Sequence, residues 1–143
     1  MPSETIQVAC PACLTANRVP AERVIEDPKC GRCRAPLLPG APIELPEAAF
    51  DDFVRRSELP VIADFWAPWC GPCRAMAPQF DKAAQELKGR ARLVKVNTEQ
   101  APDLAARMNI RAIPTIALFR NGAEVKRVSG ALDAGSLVRW AQS

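Results

Sequence analysis

The chain has 143 residues, 48% of them apolar, which suits one sizeable core with something small appended. Its 19 Lys and Arg against 16 Asp and Glu are too even for an electrostatic nucleic-acid footprint; the first 40 residues, with five basic and four acidic side chains, hold no basic arm. Histidine is absent, so a zinc site could be built only from thiolates and carboxylates, and imidazole is excluded as a general base.

The opening MPSETIQVAC lacks a basic segment followed by an apolar run and a small-residue cleavage site, so no secretory signal is expected. Nor does any run approach the roughly 18 apolar residues of a membrane span. The reading is a cytoplasmic protein, in which cysteines stay reduced and serve metal binding or redox catalysis rather than a disulfide framework.

All six cysteines fall in Cys-x-x-Cys pairs: Cys10 with Cys13, Cys30 with Cys33, and Cys70 with Cys73. The first two pairs are 16 residues apart, within the range of four-cysteine zinc ribbons. Each can place two thiolates on one tight turn, with Gly31 expected to free the second from steric restriction. Residues 1–35 are too few for an independent core, and Zn²⁺ held by Cys10, Cys13, Cys30 and Cys33 would supply the missing stability. Such a closed site has no open position for hydrolysis. Two disulfides are the competing reading. Residues 36–42, rich in proline with one glycine, read as a stiff connector.

From residue 43 onward the elements alternate. Pro46–Arg56 carries apolar residues at helical spacing, acidic early and basic late. Pro60–Ala67 reads as a strand apolar on both faces and therefore central. A longer helix is expected from Cys70 to Leu87, kinked at Pro78 and ended by Gly89. Residues 91–97 read as strand, 101–108 as a short helix and 115–119 as strand; Asn121-Gly122 then predicts a type I′ hairpin into an antiparallel strand over 124–128. A helix over 134–142 closes a mixed sheet lying between helices, an α/β fold.

The third pair sits where the central strand turns into a helix. Unpaired N–H groups and the positive end of the helix dipole favour Cys70 as thiolate, below the free value of about 8.5. Cys73 shares its helix face and can close a short disulfide with it. Cys70 would attack a substrate disulfide and Cys73 would resolve the mixed disulfide. A third metal half-site is the bland alternative, and it has no pair left to complete it.

The run Phe65-Trp66-Ala67-Pro68-Trp69-Cys70-Gly71-Pro72-Cys73 resembles the active site of thioredoxins, and the element order over residues 43–143 is similar to the thioredoxin fold. With the four-cysteine segment in front, the chain resembles the zinc-containing second type of bacterial thioredoxin. The resemblance implies further roles. Asp64 becomes a buried carboxylate that exchanges a proton with Cys73 through water, with Lys95 as its partner. Ile113-Pro114 matches a cis-proline loop that offers the Ile113 backbone to an extended substrate, although the sequence alone favours trans. Trp69, Gly71, Pro72, Ala112, Ile113, Pro114, Gly130 and Ala131 would line the apolar docking surface, and Trp66 would support the loop. Phe50, Phe53, Phe80, Phe119 and Trp140 are assigned to packing.

The resulting expectation is a monomeric protein disulfide reductase that acts on disulfide-containing client proteins, is recycled by a thioredoxin reductase, and binds neither nucleic acid nor membrane. The competing expectation is a binding protein whose zinc segment holds a partner while the larger domain serves as scaffold. A hybrid has oxidation of the four cysteines release zinc and alter docking of the two parts.

Overall fold

A computed structural model describes residues 4–143. The small N-terminal unit is a two-stranded antiparallel sheet, β1 (Thr5–Ala9) against β2 (Ala16–Pro20), followed by a 3₁₀ turn over Ala21–Glu26. Val8, Cys10, Val19, Val24, Cys30, Leu37 and Leu38 form its core. The short alternating pattern of β1 and β2 gave no strand signal in the sequence. Leu37 and Leu38, in the proline-rich run, are buried here rather than spanning open solvent.

The larger unit comprises β3 (Ile43–Glu44), α1 (Glu47–Arg55), β4 (Val61–Trp66), α2 (Gly71–Glu86), β5 (Arg92–Asn97), α3 (Pro102–Arg107), β6 (Thr115–Arg120), β7 (Ala123–Ser129) and α4 (Ala134–Gln142). Its five strands lie in the order β3-β5-β4-β6-β7, with β3, β5 and β4 parallel and β6 and β7 antiparallel. This is the expected mixed sheet flanked by helices, with the four-cysteine segment in front.

β4 is central and buried on both faces because its residues alternate between two cores. Val61, Ala63 and Phe65 pack with Phe50, Phe53 and Val54 of α1. Ile62 packs on the opposite face with Met76, Phe80 and Ala83 of α2 and Leu137 of α4. Asp64 and Trp66 share that second face with Ile62, since side chains two apart on a strand point the same way.

Asn121 and Gly122 take φ of 51° and 84°, the left-handed pair that a type I′ turn requires. Helix α2 runs unbroken through Pro78, and Gly89, with φ of 80°, lies just beyond its end. The two-residue β3, missed in the sequence, is too short to carry a pattern of its own.

The small unit sits at the end of the sheet where β4 and β5 begin. The Glu58 N–H donates to the Gln7 carbonyl at 2.9 Å, Arg56 Nη1 to the Leu14 carbonyl at 2.9 Å, and Arg92 Nη2 to the Leu37 carbonyl at 2.8 Å. Lys88 and Asp27 form an ion pair across the same boundary.

Candidate active site and metal centre

At the far end of β4 the chain leaves the sheet through Ala67-Pro68-Trp69 and enters α2. Cys70 is the N-cap: its backbone is extended and its Sγ accepts the Cys73 N–H at 3.2 Å. A helix start leaves its first N–H groups without partners inside the helix, so the sulfur that caps them is stabilised as an anion. Pro72 lies in that first turn, where a missing N–H costs nothing. Cys70 and Cys73 are joined as a disulfide and both are buried.

The Ile113-Pro114 peptide is cis, as the resemblance implied, and it lies against the disulfide. The Ile113 carbonyl oxygen is 3.9 Å from Cys70 Sγ, and the Pro114 carbonyl accepts the Gly130 N–H at 2.9 Å. Those contacts bring the β7 end of the sheet to the same rim. Trp69 is 65% exposed, an unusual state for so large an apolar side chain, while Gly71, Pro72 and Gly130 are exposed and Ile113 is half-buried against the two cysteines. Gly130 takes φ of 101°, and a Cβ there would meet nothing within 4 Å. Its backbone conformation, rather than lack of room, favours glycine.

Asp64 is 1% exposed and neither carboxylate oxygen has a hydrogen-bond partner. Burial pushes its pKa up to about 7, opposed by Lys95 and reinforced by Glu44. Lys95 is the register partner of Asp64 on β5 and of Glu44 on β3, so three charged residues form one row across three parallel strands. Lys95 does not donate to Asp64; its Nζ lies 4.5 Å above the Trp66 ring. Trp66 itself packs against Ala67, Cys70 and Cys73. Glu44 escaped the sequence reading because it stands in a two-residue strand just after the connector. Glu44 is itself exposed, and the partial desolvation beside β5 raises its carboxyl while Lys95 acts against the rise.

The other four cysteines converge at the opposite end of β4. Their sulfur atoms all lie within 4.8 Å of one another, with Cys10 to Cys33 at 3.5 Å and Cys13 to Cys30 at 3.7 Å. Four sulfurs at about 2.3 Å from a tetrahedral zinc would be separated by about 3.8 Å, so the cluster fits that ion. The two turns are built alike. Cys10 N–H donates to the Thr15 carbonyl and Leu14 N–H to the Cys10 carbonyl; Cys30 N–H donates to Ala35 and Arg34 N–H to Cys30 in the same pattern.

In each turn the left-handed residue is the one after the second cysteine, Leu14 with φ of 65° and Arg34 with φ of 70°. The expectation that Gly31 supplies the needed freedom is therefore corrected. Gly31 has no positive φ, and a Cβ on it would only touch Asn17 Oδ1 at 3.7 Å. Backbone N–H groups aim at the sulfurs: those of Ala12 and Cys13 at Cys10 Sγ (3.3 and 3.4 Å) and that of Arg32 at Cys30 Sγ (3.4 Å). Asn17 was not foreseen; it donates to Cys30 Sγ at 3.5 Å and accepts the Gly31 N–H at 2.9 Å, tying β2 to the second turn. Backbone hydrogen bonding at Cys33, then the Asn17 amide, bring the Cys30 thiol down to about 6, whereas Cys33 is pushed up to about 12 against its backbone hydrogen bond at Ala35 by the neighbouring Cys10, Cys13 and Cys30 side chains, so the four thiols share their protons as one cluster.

Both parts of the chain match known families. A family model described as Thioredoxin matches residues 41–143, and one described as Thioredoxin 2, N-terminal, a zinc ribbon, matches residues 9–35. The chain is 44% identical over 133 residues to Thioredoxin C-3 of Corynebacterium nephridii, covering 93% of this chain and 91% of that protein. It is 45% identical over 94 residues to a thioredoxin of Synechocystis sp., covering 66% of this chain and 88% of the relative. The chloroplastic M-type thioredoxin of Spinacia oleracea is 44% identical over 91 residues, 64% of this chain and 50% of the relative.

Proposed function

The chain belongs to the thioredoxin family of thiol-disulfide oxidoreductases, and from that premise we propose that it is a protein disulfide reductase with Cys70 as nucleophile and Cys73 as resolving thiol. The observation that carries the reading is Cys70 at the N-cap of α2, with Cys73 one turn along the helix and an unpartnered carboxylate, Asp64, under the face that α2 covers.

In the reduced protein the Cys70 thiolate attacks one sulfur of a client disulfide. A mixed disulfide forms and the first client thiolate leaves. Asp64, whose pKa of about 7 leaves it ready to accept a proton near neutrality, takes the Cys73 proton through water. The Cys73 thiolate then attacks Cys70 Sγ, releasing the second client thiolate and leaving the Cys70–Cys73 disulfide. Two electrons have passed to the client, and a thioredoxin reductase would return them. Lys95, held over Trp66, tunes Asp64 through its charge without a direct hydrogen bond. Trp69, Gly71, Pro72, Ile113, Pro114 and Gly130 form the surface on which an extended client segment lies, with the Ile113 backbone available to it. The Gly71-Pro72 pair places no cation beside the thiolate, which favours a reductase over an oxidase.

Residues 1–35 are read as a metal-binding unit in which Cys10, Cys13, Cys30 and Cys33 hold Zn²⁺, residues 36–42 as the connector and residues 43–143 as the thioredoxin domain. Zinc bound there supplies folding free energy to a unit with a small core. The protein is read as a cytoplasmic monomer that serves disulfide-containing clients; no helix among the described residues is long and apolar enough to cross a membrane. Reduction of a protein disulfide is the test. Cys73→Ser accumulates mixed disulfides with clients, and sustained turnover by Cys70→Ser would overturn the assignment.

A further inference from the structure

Arg92, the first residue of β5, is 2% exposed, yet it has no carboxylate partner among the described residues. A buried guanidinium without a counter-ion costs several kcal/mol, so its surroundings must compensate. Within the thioredoxin domain it donates to Ser57 Oγ at 3.2 Å and lies 4.5 Å over the Phe53 ring, while Ser57 in turn donates to the Phe53 carbonyl. These contacts are neutral. The remaining hydrogen bond crosses the boundary to the Leu37 carbonyl at 2.8 Å. Leu37 belongs to the core that contains Cys10 and Cys30.

We infer that the four-cysteine metal centre is the counter-ion of Arg92, and that Arg92 thereby couples metal occupancy to docking of the small unit on the thioredoxin domain. The inference rests on the zinc reading above. Four thiolates around one Zn²⁺ carry a net charge of about −2, and the Arg92 guanidinium reaches across the boundary to the Leu37 carbonyl, whose residue packs in one core with Cys10 and Cys30. Because the coupling is a free energy it must be reciprocal: Arg92 strengthens metal binding, and metal strengthens docking through Arg92. Arg92 is a positioning residue, distant from the dithiol, so turnover should not depend on it.

The test uses the reduced full-length chain with zinc alone as probe, measuring metal content and competition against a chromogenic chelator. Arg92→Met is expected to weaken zinc binding roughly 10–100-fold, the range for residues that support metal ligands from outside. Arg92→Lys, which keeps the charge, should lose less than about tenfold on the same scale. Ser57→Ala, which removes a neutral contact, should leave zinc affinity unchanged even if it lowers the melting temperature. Should Arg92→Met fold poorly, Arg92→Gln takes its place. Stripping zinc should speed hydrogen exchange at the Glu58 amide, which donates to the Gln7 carbonyl across the boundary, by more in the wild-type chain than in the Arg92 variant. Unchanged zinc affinity in the Arg92 variant, or the same change in exchange at Glu58 in variant and wild type on zinc removal, overturns the coupling while leaving the zinc reading in place. A wild-type chain that retains no zinc overturns both.

Discussion

The three Cys-x-x-Cys turns begin identically and end differently. In each, the sulfur of the first cysteine accepts a nearby backbone N–H, and the carbonyl of that cysteine accepts the N–H four residues on, from Leu14, Arg34 and Arg74. Leu14 and Arg34 then take left-handed backbone and turn the chain back, so the sulfurs of two turns face one another. Arg74 instead lies inside the sixteen-residue helix α2, leaving Cys70 and Cys73 only each other. Spacing sets the local turn; the residue after it decides whether two pairs face one another or one pair closes on itself.

The largest break in that comparison is expected from Cys70→Ser. Disulfide reductase turnover should fall to background while zinc content stays at that of the wild-type chain, measured on the same preparation. Chelating the metal under reducing conditions should do the converse. The apparent binding free energy of structural zinc is on the order of 10 kcal/mol, so the thermal transition of the small unit should collapse. Client reduction should stay within about twofold, since no zinc ligand lies among the residues assigned to the exchange steps.

Asp64→Asn sharpens the contrast from the side of the dithiol. Resolution of the mixed disulfide should slow by about 100-fold, typical of a lost general base, and its pH dependence near 7 should vanish. Stability should move the other way. The pKa is raised from 3.8 to about 7, so the folded chain binds more protons than the unfolded chain between those values and loses stability as pH rises through the window. Three pKa units correspond to about 4 kcal/mol. The neutral amide escapes this loss, so Asp64→Asn should unfold at higher denaturant than wild type at pH 8 and at a similar concentration at pH 3.5.

Leu37→Ala should come next, costing about 2–4 kcal/mol as a cavity in the small core, and proteolysis near the connector should report it. Lys88→Ala is expected to have the smallest effect. Its ion pair with Asp27 is solvent-exposed, and such pairs contribute about 0–1 kcal/mol. A large loss of docking in Lys88→Ala would contradict the central place given to Arg92.

Residues whose meaning is local were legible in the sequence. The type I′ turn follows from Asn121-Gly122, and the placement of β4 from an apolar run broken only by Asp64. Grouping of Cys10, Cys13, Cys30 and Cys33 followed from spacing, and convergence of Cys70 with Ile113-Pro114 from the resemblance. What escaped depends on elements distant in the chain. Arg92 looks like an ordinary charged residue at a strand start until Ser57 and Leu37 close over it. Glu44 has no significance until β3 docks beside Lys95, and the left-handed Leu14 and Arg34 contradict the usual preference for glycine at such positions.

The small unit touches the sheet where β4 begins, and the dithiol lies beyond the point where β4 ends. Six strand residues at about 3.3 Å each set roughly 20 Å between those ends. Thiol–disulfide exchange requires sulfur to reach sulfur, so the two sets of cysteines are insulated from one another within a single molecule. One chain can therefore carry the four-cysteine cluster and the Cys70–Cys73 disulfide without direct exchange between them, and any traffic between them must pass through a second molecule.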